Sequence, residues 1–274
     1  MGRMVTVRSG GPRPRKELGQ HFLRDSGILA DILAAVRPPA DGLLVEIGAG
    51  TGQLTEYLIR RTGPVLAVEI EDRLVDHLHR RFDGAPNLSI AHGDARIVDV
   101  DDLVPPGMPY SIAGNLPYFA ASPIVRHFLE APHQPTELVI MIQREVARRI
   151  LAKPGHLSLL AVCTQVYAEP EQLFDVPPEA FDPPPQVWSS VIRLTVRTDP
   201  LVPRERLEAF FDLVSGTFLN PRKQLRNARW SGFGREATIA TLGAAGIDPM
   251  RRPETLSIDE WKGLLDAREA ARHA

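Results

Sequence analysis

Leu43-Leu-Val-Glu46-Ile47-Gly48-Ala49-Gly50-Thr51-Gly52 decides the fold of this 274-residue chain. Its apolar start is too short for a core helix and is broken by three alternating glycines. It therefore reads as a buried parallel strand that ends in a tight turn. Leu54 to Arg61 then has helical spacing, and the same alternation spreads outward on both sides. Upstream, Ile28 to Val36 is an amphipathic helix stopped by Arg37-Pro38-Pro39. Downstream come a strand at Pro64 to Val68 closed by Glu69, a helix at Asp72 to Phe82, and a strand at Leu88 to Ala91 ending at His92-Gly93-Asp94. Further strands are expected at Tyr110 to Ala113, Leu138 to Ile142, Leu159 to Tyr167 and Ser189 to Val196, with a charged helix at Arg144 to Leu151. Strands alternating with helices predict an α/β fold with a Rossmann-like parallel sheet. In such sheets ligands sit outside the carboxyl ends of the strands, and the polar motifs below fall there.

From Asp199 the pattern becomes helical without strands, at Arg204 to Gly216, Pro221 to Trp230, Arg235 to Ala244 and Ser257 to Ala271, with Pro200 and Pro203 at the joint. The expected organisation is a basic arm over 1–16, an α/β domain over 17–198 and a small all-helical domain over 199–274. Arg3, Arg8, Arg13, Arg15 and Lys16 make the arm acid-free. No apolar run reaches the roughly 18 residues that span a bilayer, and no signal segment is evident, so a cytoplasmic location is expected. The single cysteine, Cys163, excludes an internal disulfide and a multi-cysteine zinc site; no metal is expected. The net charge is only −2, yet from Val191 onward 14 Lys and Arg outnumber 11 Asp and Glu. Nucleic-acid binding then has to rely on local patches and shape.

A glycine turn after a strand brings bare backbone amides beside a ligand. A dinucleotide fingerprint would want glycine at position 53, where Gln53 stands, and this argues against an oxidoreductase. Glu46 before the turn gives the E-x-G-x-G form typical of methyltransferases. Glu69, ending the next strand, can accept ribose hydroxyls, and Asp94, ending the third, can accept an adenine amine.

Asn115-Leu116-Pro117-Tyr118 follows the fourth strand. An aromatic amine is a poor nucleophile because its lone pair is delocalised into the ring. The Asn115 side-chain oxygen and the Leu116 carbonyl are two acceptors that can grip its two N–H bonds in a fixed direction. Pro117 stiffens the turn, and Tyr118 offers a flat face to an extruded base. In the helical region Arg222, Lys223, Arg226 and Arg229 form an acid-free cluster; helical spacing would put the three arginines on one face as a phosphate clamp. Arg144, Arg148 and Arg149 form a weaker one.

With Gly19-Gln20-His21-Phe22-Leu23, E-I-G-A-G-T-G, N-L-P-Y and Phe181-Asp182-Pro183-Pro184-Pro185 in this order, the chain resembles the ribosomal RNA adenine dimethyltransferases from about Arg15 to Leu265. It is most similar to the group that dimethylates two adjacent adenosines near the 3′ end of 16S rRNA. The resemblance implies a class I S-adenosylmethionine methyltransferase fold with a C-terminal helical domain, S-adenosylmethionine as cofactor, and 16S rRNA in a pre-30S particle as partner of a monomeric enzyme. It implies cofactor binding by Gln20, His21, Leu23, Glu46, Gly48, Gly50, Glu69, Ile70, Asp94, Ala95 and Asn115. Catalysis falls to Asn115, Leu116, Pro117 and Tyr118, with Phe181 flanking the target base, and RNA binding to Arg222, Lys223, Arg226 and Arg229. Departures are Phe119-Ala120-Ala121-Ser122 where the family pattern is Asn-Ile-Ser, Gln186 and Trp188 in place of a cation and an acid, and a shortened loop before Leu159. A 23S rRNA adenine methyltransferase of the antibiotic-resistance type, and a non-catalytic nucleic-acid-binding relative, are the alternatives.

Overall fold

The computed structural model describes Pro12 and residues 21–60 and 63–273; Gln20 and the basic residues of the arm lie outside the described residues. Strand β1 (Phe22–Leu23) leads into α1 (Ser26–Ala35), where the Asp25 carboxylate accepts the Gly27 and Ile28 amides at 2.9 and 3.0 Å. The quoted stretch forms β2 (Leu43–Ile47) and opens α2 (Gln53–Leu58). Then follow β3 (Val65–Glu69), α3 (Asp72–Arg81), β4 (Leu88–His92), α4 (Val100–Leu103), β5 (Tyr110–Asn115), α5 (Ala121–Glu130), β6 (Glu137–Gln143) and α6 (Arg144–Ile150).

The main sheet has the order β4-β3-β2-β5-β6, continued by β9 (Ser189–Val196) and β7 (Ala168–Val176), and the first five strands are parallel. The chain runs outward from β2 to β4 and then returns to lay β5 on the other side of β2. This reversal is the topological switch point, where the carboxyl ends of neighbouring strands diverge and leave a crevice. It sits between Ile47 and Asn115. The second ladder is short: β1 pairs antiparallel with β8 (Phe181–Asp182), setting Leu23 opposite Phe181.

Two expectations are corrected. Leu159–Tyr167 is a helix, α7, not a strand; Ser158 caps it by accepting from Ala161 N–H at 3.2 Å. A short apolar run suits either element, and here Val162 and Val166, one turn apart, enter a helical core. The strand comes next, at Ala168–Val176, a polar segment containing Pro170; as the last strand in the sheet it is an edge, where a proline is tolerated. Second, Pro221–Trp230 is not a helix. It is a turn and one 3-10 turn, Leu225–Asn227. Leu225 N–H donates to Arg251 O at 2.8 Å and Arg226 N–H to Pro249 O at 3.0 Å, so tertiary pairing takes the amides a helix would need. The other C-terminal helices form as α8 (Leu207–Phe218), α9 (Arg235–Ala244) and α10 (Ile258–His273).

By compactness one unit comprises residues up to Gln143 with Phe174–Val191, and the other Arg144–Leu173 with Ile192–Ala274. The second is larger than the expected 199–274 because α7 shares its apolar core: Ala161, Val162 and Val166 pack with Phe210, Leu213, Trp230, Trp261 and Leu264. Within that unit Arg268 is 1% exposed, and its guanidinium donates to Asp212 at 2.6 Å. Among the described residues no helix is long and apolar enough to cross a membrane.

Gly114 shows how tightly the switch point closes. A Cβ there would lie 2.5 Å from the Ile47 carbonyl oxygen of the neighbouring strand. Gly114→Ala should lower stability by about 1–3 kcal/mol in urea denaturation. Gly243→Ala, in α9 with nothing within 4 Å of its new methyl, should be neutral or stabilising by up to ~1 kcal/mol.

Candidate active site

A cavity of about 350 Å³ opens where the switch point predicts, within the range of about 300–1,000 Å³ usual for small-molecule sites. Its wall is built from the residues that follow β2, β3, β4 and β5, with His21, Phe22 and Leu23 closing one side. Gly48, Gly50 and Gly52 have φ of +76°, +59° and +82°, a left-handed run that side chains resist. A Cβ at Gly48 would crowd the Asn115 carbonyl at 3.4 Å, and one at Gly50 the Phe22 ring at 3.2 Å.

Glu69 is buried at the end of β3, and its carboxylate accepts Gly50 N–H at 2.8 Å, Ile70 N–H at 2.9 Å and Glu71 N–H at 3.1 Å. Of roughly four lone-pair sites on a carboxylate this leaves about one for a ligand. Burial pushes its pKa up, and the three amides oppose that shift. Glu46, 1% exposed, accepts from the Thr55 hydroxyl at 2.6 Å. Burial, with the nearby Glu69 charge adding, raises its pKa to about 7. Asp94 is gripped by the Arg96 guanidinium at 2.6–3.1 Å, which holds it below the ordinary aspartate range. Ile70, 53% exposed, and Ala95 complete this wall.

Asn115 ends β5 and donates its side-chain Nδ2 to the His21 carbonyl at 3.2 Å, which commits the amide's donor end and turns its oxygen away. Leu116, 1% exposed, anchors the next residue by donating its N–H to Met141 O at 3.1 Å. Tyr118 shares a 2.8 Å hydrogen bond with Ser189, and burial raises its hydroxyl pKa. His21 stacks on the Tyr118 ring (centroids 5.8 Å apart, planes at 28°) and donates Nδ1–H to Pro183 O at 2.7 Å.

All the expected cofactor and catalytic positions line this one cavity except two. Gln20 lies outside the described residues, and Phe181 is buried opposite Leu23 and does not line the cavity. Arg222, Lys223 and Arg229 are exposed and Arg226 half-buried, but on a turn, so they share no helix face. Arg148 and Arg149 are exposed on α6. Sequence reading missed Thr55, Ser189 and Arg96. A threonine two residues into a helix after a buried acid, and an arginine two after Asp94, were available signals; Ser189 gave none, being distant in sequence from Tyr118.

Glu46 yields a pH prediction. A carboxyl raised to about 7 in the fold keeps a proton that the unfolded chain releases from about 4.5, so its contribution is full below that value and lost as pH rises through 7. Stability should therefore fall by on the order of 2 kcal/mol between about pH 5.5 and pH 8. Glu46→Gln keeps an acceptor for Thr55 and should flatten that dependence in urea titrations at the two pH values.

The sequence can be set beside known proteins. A family model described as ribosomal RNA adenine dimethylase matches residues 11–266. A ribosomal RNA small subunit methyltransferase A from Dehalococcoides mccartyi is 40% identical over 254 residues, covering 92% of this chain and 87% of the relative. Its counterpart from Pelotomaculum thermopropionicum is 41% identical over 276 residues, covering 95% and 93%. Among solved structures, the 23S rRNA methyltransferase ErmE is similar with a TM-score of 0.71 at 29% identity, over 90% of this chain and 99% of ErmE. A dimethyladenosine transferase from Plasmodium falciparum has a TM-score of 0.77 at 23% identity, over 92% and 98%, a likeness of fold. Identity of this extent along nearly the whole sequence means that the chain belongs to the ribosomal RNA adenine dimethylase family.

Proposed function

We propose that this methyltransferase dimethylates the N6 amines of adjacent adenosines near the 3′ end of 16S rRNA in a pre-30S particle, acting as a cytoplasmic monomer with S-adenosylmethionine as cofactor. The observation that carries the reading is Asn115, whose amide is held by the His21 carbonyl so that its oxygen remains to receive an amine beside the glycine turn. The names of the relatives at 40% and 41% identity favour the small subunit over the 23S target named for ErmE.

The cavity fits that cofactor. The left-handed glycine run removes the Cβ atoms that would fill the cradle, Ile70 offers an aliphatic wall to a purine, and Glu69 retains an acceptor for a ribose hydroxyl. His21, Leu23, Glu46, Gly48, Gly50, Asp94 and Ala95 complete the proposed binding set, with Gln20 assigned from the resemblance alone. Asp94 receives an adenine amine by sharing its oxygens with Arg96. The cofactor supplies a methyl group activated by a sulfonium centre. The chain supplies position. The Asn115 oxygen and the Leu116 carbonyl each take one amine N–H, which turns the nitrogen lone pair out of conjugation with the ring. Pro117 fixes the turn, and Tyr118 offers the base the ring face that His21 leaves free. The amine becomes acidic as its new bond forms, so water can take the proton and no dedicated base is needed. After one methylation a single N–H remains, and one grip suffices for the second. By the resemblance Phe181 flanks the target base, next to Leu23, with which it pairs at the cavity's edge. Arg222, Lys223, Arg226 and Arg229 in the helical C-terminal region hold phosphates of folded RNA.

Labelled methyl should pass from S-adenosylmethionine to immature 30S particles, with N6,N6-dimethyladenosine found by mass spectrometry. Labelling confined to 23S RNA, or none, would overturn the reading. Asn115→Ala should lower kcat by roughly 100-fold or more while changing cofactor Kd little; equal loss of both would remove the gripping role. Replacing Arg222 and Arg229 by Ala should weaken RNA binding and reduce the salt slope by about one for each phosphate no longer held.

A further inference from the structure

The turn after β5 carries two adjacent aromatic residues that the fold uses in opposite ways. Ala120 N–H donates to Pro117 O at 2.9 Å, so Tyr118 and Phe119 occupy the two corners of one β-turn. Tyr118 faces the protein: its hydroxyl is bonded to Ser189 and one side of its ring is taken by His21. Phe119 lines the same cavity but is 65% exposed, among the most exposed large apolar side chains described. Elsewhere on the surface a lone exposed phenyl needs no explanation. Here it stands at the mouth of a site that admits a nucleobase, at a position the family pattern leaves polar.

We propose that Phe119 is a stacking residue for the base that adjoins the acceptor adenine in the RNA strand. The inference rests on the adenine-methylating function proposed above. The acceptor amine has to reach the Asn115 oxygen and the carbonyl of Leu116, and both residues line the cavity, so the base being methylated sits inside it. The next base along the strand is then left at the mouth, where the open face of Phe119 is. Tyr118 does not serve that base, because His21 takes one face of its ring, Ser189 its hydroxyl, and the face left toward the cavity meets the acceptor base itself. Stacking is tolerant of base identity, since every base has a π-face, so Phe119 adds affinity and strand placement without reading sequence. A contact made equally before and during the reaction changes KM and leaves kcat alone.

The test uses the full chain with Phe119→Ala, Phe119→Leu or Phe119→Trp, and unmethylated small-subunit particles as substrate. Ala and Leu should raise KM for the particle roughly 10-fold with kcat within about twofold, and Trp should restore wild-type KM. Cofactor Kd and Tm should not move, as the ring is mostly in water. In parallel, wild-type protein should quench 2-aminopurine placed next to the acceptor adenosine in a stem-loop RNA, and Phe119→Ala should lose that quench. Unchanged KM and quench in Phe119→Ala overturn the proposal while transfer by the wild type leaves the proposed function standing. Full activity of Phe119→Leu overturns stacking in favour of simple apolar packing. A loss of kcat at constant KM also overturns it, moving the ring to the acceptor base itself. Wild-type protein that methylates no RNA overturns the proposed function and this inference with it.

Discussion

The site depends on one buried carboxylate. Glu69 ends β3 and takes three backbone N–H groups, one of them from Gly50 across the strand boundary. That bond ties the left-handed glycine run to the neighbouring strand, and so holds open the cradle that the glycines create. Removing the acceptor from the buried Gly50 amide leaves its donor unsatisfied, which is costlier than the bond itself is worth. Every other feature of the cavity is arranged around a turn fixed in this way.

Glu46 and Glu69 are both buried, and the charge of Glu69 helps to raise the pKa of Glu46. Two acids at one cavity are an electrostatic expense for the fold. The raised pKa of Glu46 limits that expense, because a protonated Glu46 adds no second buried charge.

The aromatic residues around the site form a chain of supports. Phe181 pairs with Leu23 in the short ladder, His21 next to it stacks on Tyr118, and Tyr118 reaches Ser189. His21 also accepts the Asn115 amide through its carbonyl. Two segments that are 162 residues apart in sequence, meeting at His21 and Pro183, therefore set the orientation of the gripping side chain. Such preorganisation suits a reaction in which placement does most of the work.

The sheet and the position of the cavity were legible in the sequence, because period and punctuation are local: apolar runs closed by Gly48, Glu69, Asp94 and Asn115 mark strand ends wherever the rest of the chain goes. Leu159–Tyr167 and Pro221–Trp230 were misread because their local patterns fit two structures. Packing into a helical core decided the first, and amide pairing with Pro249 and Arg251 the second. The roles of Phe181 and Ser189, the occupation of Tyr118 by His21 and the exposure of Phe119 depend on which distant segments meet. By itself the sequence determined the strand ends and the chemistry gathered at them, since both follow from local spacing. Tertiary structure alone decided which aromatic face is spent inside the protein and which is left to solvent, because a ring's availability is set by its neighbours in space.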